Sequence, residues 1–62
     1  MKLVKLDKTG HTTYYQEEAR VQFDALIAQG YAMFENDKQL RKLPDIVPDN
    51  LEVLALAPLV GG

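Results

Sequence analysis

Cysteine is absent from all 62 residues, which removes any disulfide framework, thiolate metal site or thiol nucleophile. A single histidine, His11, stands without a cysteine or second histidine to make a metal site. No run of apolar residues is long enough to span a bilayer: the longest, from Val53 to Val60, is far short of the roughly 20 residues a spanning helix needs. The first residues also lack the apolar core of a secretory signal. Positive charge is sparse and dispersed over Lys2, Lys5, Lys8, Arg20, Lys38, Arg41 and Lys42, within a net charge of -2. A nucleic-acid binder concentrates its basic residues on one face. These absences point to a cytoplasmic protein with neither nucleic acid nor membrane as a partner. Repeats and low-complexity segments are missing as well.

What remains is the composition of one packed domain. The chain is 47% hydrophobic and 26% charged, too apolar for a disordered tail. Its length lies near the lower limit for folding without disulfides or metal, so no second domain is expected.

Met1-Lys2-Leu3-Val4-Lys5-Leu6 has a short alternating pattern that predicts a strand with Val4 and Leu6 on one face. It runs into Asp7-Lys8-Thr9-Gly10, where Gly10 can adopt positive φ and close a hairpin. His11-Thr12-Thr13-Tyr14-Tyr15, rich in β-branched and aromatic residues, is the returning strand. From Gln16 the period changes. Ala19, Phe23, Leu26 and Ile27 form one helical stripe, with Glu17, Arg20 and Asp24 opposite, spaced for ion pairs on a solvated face. A competing signal, the capping-box match Thr13-Tyr14-Tyr15-Gln16, would start the helix a turn earlier. Gly30 fits a left-handed C-cap, with Tyr31 folding back on the helix end.

Tyr31-Ala32-Met33-Phe34 then reads as a strand, followed by a turn at Asn36-Asp37-Lys38. Leu40 and Leu43 flank Arg41-Lys42 in a segment that is either a short strand or one helical turn. Residues 44–50 have loop composition, with Ile46 and Val47 dipping into the core or forming a small surface patch. Leu51-Glu52-Val53-Leu54-Ala55-Leu56-Ala57 is apolar at all but Glu52, which predicts a central strand covered on both faces. The order implies an α+β fold of the ubiquitin-like β-grasp arrangement: one helix on a mixed sheet of four to five strands, with the last strand parallel to the first. Residues 1–57 form the domain and residues 58–62 a flexible C-terminal tail.

That tail carries the chemical signal. Glycine has no side chain, so Gly61-Gly62 can thread a narrow channel and present an unhindered carboxylate at Gly62. A carboxylate must be activated, as an acyl adenylate for example, before a thiol, sulfide, hydroxyl or amine attacks it. Pro58 ends the strand and stiffens the exit, and Leu59 and Val60 are the apolar anchors for an activating enzyme. A glycine pair also occurs in linker remnants and frayed ends. It is the neighbouring strand, the apolar arm and a sequence stopping at the second glycine that favour conjugation.

Other residues have structural explanations. His11 beside the hairpin turn is expected to hydrogen-bond locally. Glu17 and Glu18 favour the positive end of the helix dipole. Tyr14, Tyr15, Tyr31 and Phe34 read as core or core-edge aromatics. No nucleophile has a base beside it and no glycine loop is arranged for phosphate, so no catalytic residue is assigned and no metal or bound cofactor is expected.

Leu6-Asp7-Lys8-Thr9-Gly10-His11-Thr12, Phe23-Asp24-Ala25-Leu26, Gly30-Tyr31-Ala32-Met33-Phe34 and the stretch from Val53 to Gly62 together resemble small bacterial ubiquitin-like proteins. These occur in gene clusters with an adenylating enzyme of the ubiquitin-activating type and a deubiquitinase-like metalloprotease. The resemblance implies that the partner enzyme uses ATP to adenylate Gly62, accepts it on a side chain and transfers it to a target protein, with a conjugating enzyme as a further partner. Leu59-Val60 stands where eukaryotic ubiquitin has an arginine-containing stretch, so recognition of this arm is expected to be apolar. A sulfur carrier, with a thiocarboxylate at Gly62, uses the same first step. A non-covalent binding module is the third alternative, and it needs neither glycine.

Overall fold

The computed structural model describes residues 1–58. The tail residues Leu59, Val60, Gly61 and Gly62 lie outside them. Five strands and a helix follow in the order β1 (Lys2–Asp7), β2 (Gly10–Tyr15), α1 (Gln16–Ala28), β3 (Ala32–Glu35), β4 (Lys38–Leu40) and β5 (Glu52–Leu56). The sheet order is β2-β1-β5-β3-β4. β1 and β5 run parallel, with Lys2 opposite Glu52 and Leu6 opposite Leu56; the other pairings are antiparallel. One helix across this mixed sheet is the β-grasp architecture, as the strand and helix periodicities predict.

The hairpin between β1 and β2 closes with Gly10 at φ +122°, a conformation that disfavours any side chain. Asp7 Oδ1 accepts hydrogen bonds from the Thr9 backbone N–H at 2.9 Å and from its hydroxyl, the geometry of an Asx-turn. β2 runs directly into α1. The capping box goes unused: Thr13 stays in the strand, Tyr15 is the N-cap residue, and no side chain caps the helix. Instead, the Gln16 N–H donates to the Met1 carbonyl at 2.8 Å, extending the β1–β2 ladder by one step. This holds Gln16 at φ +54°, a left-handed conformation uncommon outside glycine and asparagine.

At its other end α1 finishes as expected. Gly30 has φ +93°; its N–H donates to Ile27 O and the Tyr31 N–H donates to Leu26 O, both at 3.0 Å. These bonds make a Schellman motif, which satisfies carbonyls the helix leaves unpaired. β3 and β4 meet across the two-residue turn Asn36-Asp37, with Asn36 at φ +54°. Lys38 therefore belongs to a strand rather than the turn, and Arg41 and Lys42 fall beyond β4. The uncertain segment around them is strand before Arg41 and irregular after it.

The core lies between helix and sheet: Ala19, Phe23 and Leu26 from α1 pack with Leu3, Met33, Val53 and Ala55 from the strands, closed at one end by Met1 and Leu51. Ile27 and Val47 pack against its margin, while Ile46 in the same loop as Val47 is 85% exposed. Tyr14 and Tyr31 are core-edge residues as predicted; Tyr15 is exposed, and Phe34 pairs with Leu54 in the row opposite the core. On the outer helix face Glu17, Arg20 and Asp24 are all exposed, but their spacing yields no ion pair. The ion pairs among the described residues belong to the sheet: Lys2–Glu52 at 3.8 Å and Lys5–Asp7 at 3.9 Å. Lys5 also sits 5.9 Å from the centre of the Tyr14 ring, within cation–π range.

Candidate functional site

The site predicted from sequence begins where β5 leaves the sheet. The last ladder bond runs from the Ala57 N–H to Leu6 O at 3.0 Å; the following residue, Pro58, has no N–H to continue it. Pro58 is exposed and rests beside the helix end. A Cβ placed on Gly30 would lie 3.7 Å from the Pro58 Cβ, an ordinary packing distance. The β1–β2 turn stands on the other side of the exit, and the pocket between them is lined by Leu6, Asp7, Tyr31, Phe34, Leu56 and Pro58, among others. Of the sequence-predicted site residues, Pro58 is thus placed at this mouth. Leu59, Val60, Gly61 and Gly62 fall outside the described residues.

The pocket continues into a surface that the sequence reading missed. Directly paired residues share a face of a sheet. The registers therefore align Val4, Leu54 and Phe34 in one row, and Leu6, Leu56 and Ala32 in the next. Both rows lie on the face away from α1. Leu54 and Leu56 keep 37% and 36% of their accessible surface, whereas Val53 and Ala55, pointing to the helix, keep 2% and 0%. β5 is central, as expected, but among the described residues it is covered on one face only. In β1 the core residue is Leu3, not the Val4–Leu6 pair, whose shared face is the open one. The patch is bounded by the Lys2–Glu52 pair at one end and by Asp7-Lys8-Thr9 at the other.

Electrostatics at the mouth centre on Asp7. The two hydrogen bonds from Thr9 hold its carboxyl below the ordinary value of 3.8, with Lys5 and Lys8 acting in the same direction. His11 is exposed on β2 opposite Leu6; the turn's side-chain hydrogen bonds run from Thr9 to Asp7 and do not involve it. No cluster of three or more histidine, cysteine or acidic residues suited to a metal occurs among the described residues, and no helix among them is long and apolar enough to cross a membrane.

The fold and exit define an α+β domain of the β-grasp class, with an apolar open sheet face continuous with the C-terminal mouth. No protein-family model, curated protein or solved structure matches the chain.

Proposed function

We propose that this chain is a ubiquitin-like protein modifier, a substrate of other enzymes and no enzyme itself, joined covalently to target proteins through Gly62. The observation that carries this reading is the exit: the central strand ends at Leu56, Pro58 stands exposed at a sheet end, and Gly62 follows four residues on. In extended form those four residues reach at most about 14 Å, enough to carry a carboxylate into a neighbouring enzyme's cleft while the domain stays outside. A carboxylate oxygen of Gly62 attacks the α-phosphorus of ATP and pyrophosphate leaves. A nucleophile then attacks the acyl carbon and AMP leaves. Pro58, Leu59 and Val60 are the segment an adenylating enzyme grips. The open face around Leu54 and Leu56 gives that enzyme, or a conjugating enzyme and metalloprotease, a second apolar contact. The reaction is assigned to the cytoplasm.

The same open face is the observation that favours a non-covalent binding module as a second reading. Intact mass and gel mobility after incubation with ATP and host lysate separate the two, comparing the full chain with a Gly62 deletion. Higher-mass species that depend on both ATP and Gly62 support the modifier. A sulfur-for-oxygen mass exchange at Gly62 without adducts indicates a sulfur carrier instead. If the folded protein stays unchanged in mass with its partner enzymes present, the modifier reading is wrong and docking through the sheet replaces it.

A further inference from the structure

The two edges of the sheet are built differently. β4 is three residues long and begins with Lys38; Arg41, Lys42 and Pro44 follow it. A short strand, lysine and proline are devices that keep an edge from pairing with another chain. β2 has none of them. It is six residues long, Gly10-His11-Thr12-Thr13-Tyr14-Tyr15, without lysine, arginine, carboxylate or proline, and His11, Thr12 and Tyr15 are exposed.

The hydrogen bonds show which backbone groups this edge offers. Gln16 bonds to Met1, so with the register of the hairpin the hydrogen-bonded pairs of the β1–β2 ladder are Leu3–Tyr14, Lys5–Thr12 and Asp7–Gly10. β1 turns its alternate residues to β5, accepting at Leu6 from Ala57 and donating from Lys2 to Leu51. The N–H and C=O groups of His11 and Thr13 and the N–H of Tyr15 therefore point outward from the sheet, while the Tyr15 C=O, at the N-cap, serves the first turn of α1.

We propose that β2 pairs with β2 of a second copy of this chain, antiparallel about a two-fold axis at Thr13. In that register Thr13 exchanges both bonds with Thr13 of the second copy, and each Tyr15 N–H donates to the His11 carbonyl of the other. The strand is self-complementary in charge, since it carries no lysine, arginine or carboxylate and each His11 faces a Tyr15. Tyr15, 59% exposed in one copy, gains His11 of the other as a cross-strand neighbour. The axis is perpendicular to the sheet, so the two open apolar faces become one surface. Because the strands are antiparallel, the two Pro58 exits lie at opposite ends, and the inference does not depend on the conjugation reading.

Light scattering from about 10 µM to about 1 mM, with amide exchange on the same samples, tests this. The expected result is a rise from 7.0 kDa to twice that mass. With it, the Thr13 and Tyr15 amides gain protection as concentration rises, while Thr12 and Tyr14 are protected throughout. Thr13→Lys sets like charges opposite each other at the axis and weakens association by about tenfold at low salt, less at high salt. Lys38→Thr on the far edge leaves association unchanged. A mass of 7.0 kDa across the range overturns the proposal, as does undiminished association of a folded Thr13→Lys protein. Protection of the Thr13 and Tyr15 amides only when a different extended polypeptide is added also overturns it. If Thr13→Lys does not fold, amide exchange in the unaltered protein decides.

Discussion

Leu3→Ala and Leu54→Ala make the same chemical change on neighbouring central strands, one on each face of the sheet. Leu3 is fully buried and belongs to the core cluster. Its truncation leaves a cavity beneath Phe23 and the helix and is expected to cost about 3 kcal/mol. Leu54 keeps 37% of its surface and faces away from α1, so its side chain gives up less apolar burial and leaves no enclosed void. Its truncation is expected to cost about 1 kcal/mol. A chain of this length has a total stability of roughly 3–9 kcal/mol. Leu3→Ala therefore removes about a third or more of the total, while Leu54→Ala removes about a third or less. Urea titration followed by circular dichroism reads both midpoints. In melting temperature the expected losses are roughly 12–24 °C and 4–8 °C. Equal losses would refute the one-sided sheet, because Leu54 would then be as enclosed as Leu3.

Gly30→Ala is expected to destabilise by about 1–2 kcal/mol through its backbone alone, since φ is +93° and the added Cβ meets Pro58 only at contact distance; a neutral thermal shift would contradict the Schellman geometry. For Asp7 the folded carboxyl lies below 3.8, so its contribution is present above that pH and is lost as the pH falls through the folded value. Asp7→Asn should remove this component. Urea midpoints of the two proteins should converge as acid is added below pH 3.8, and a gap that stays constant would show that Thr9 does not stabilise the charge.

Much of the fold is legible locally. The helix stripe Ala19-Phe23-Leu26-Ile27, the Gly30 cap with Tyr31 behind it, and the Gly10 turn are each set by neighbours a few residues away, and each is where the pattern puts it. The capping box at Thr13 is also a local signal, yet it is overridden: the ladder bond from Gln16 to Met1 joins residues far apart in sequence, and it keeps Thr13 in β2. Similarly, Glu17, Arg20 and Asp24 have the spacing for ion pairs but remain apart in solvent, where such pairs contribute little. Of the candidate site, the strand end and Pro58 were readable because proline removes a ladder donor wherever it stands. The open apolar face was not.

The sequence by itself determined the helix, the four longer strands and their order, the Gly10 and Gly30 turns and the glycine pair beyond Pro58, because these follow from period, backbone freedom and residue chemistry over short spans. Only the tertiary structure decided that Leu3 rather than Val4 and Leu6 enters the core, and that Val53 and Ala55 are buried while Leu54 and Leu56 meet solvent. In β5 all four of those residues are apolar, so alternation cannot distinguish the two faces. The distinction arises when the helix lies across one side of the sheet, with no second layer among the described residues to cover the other.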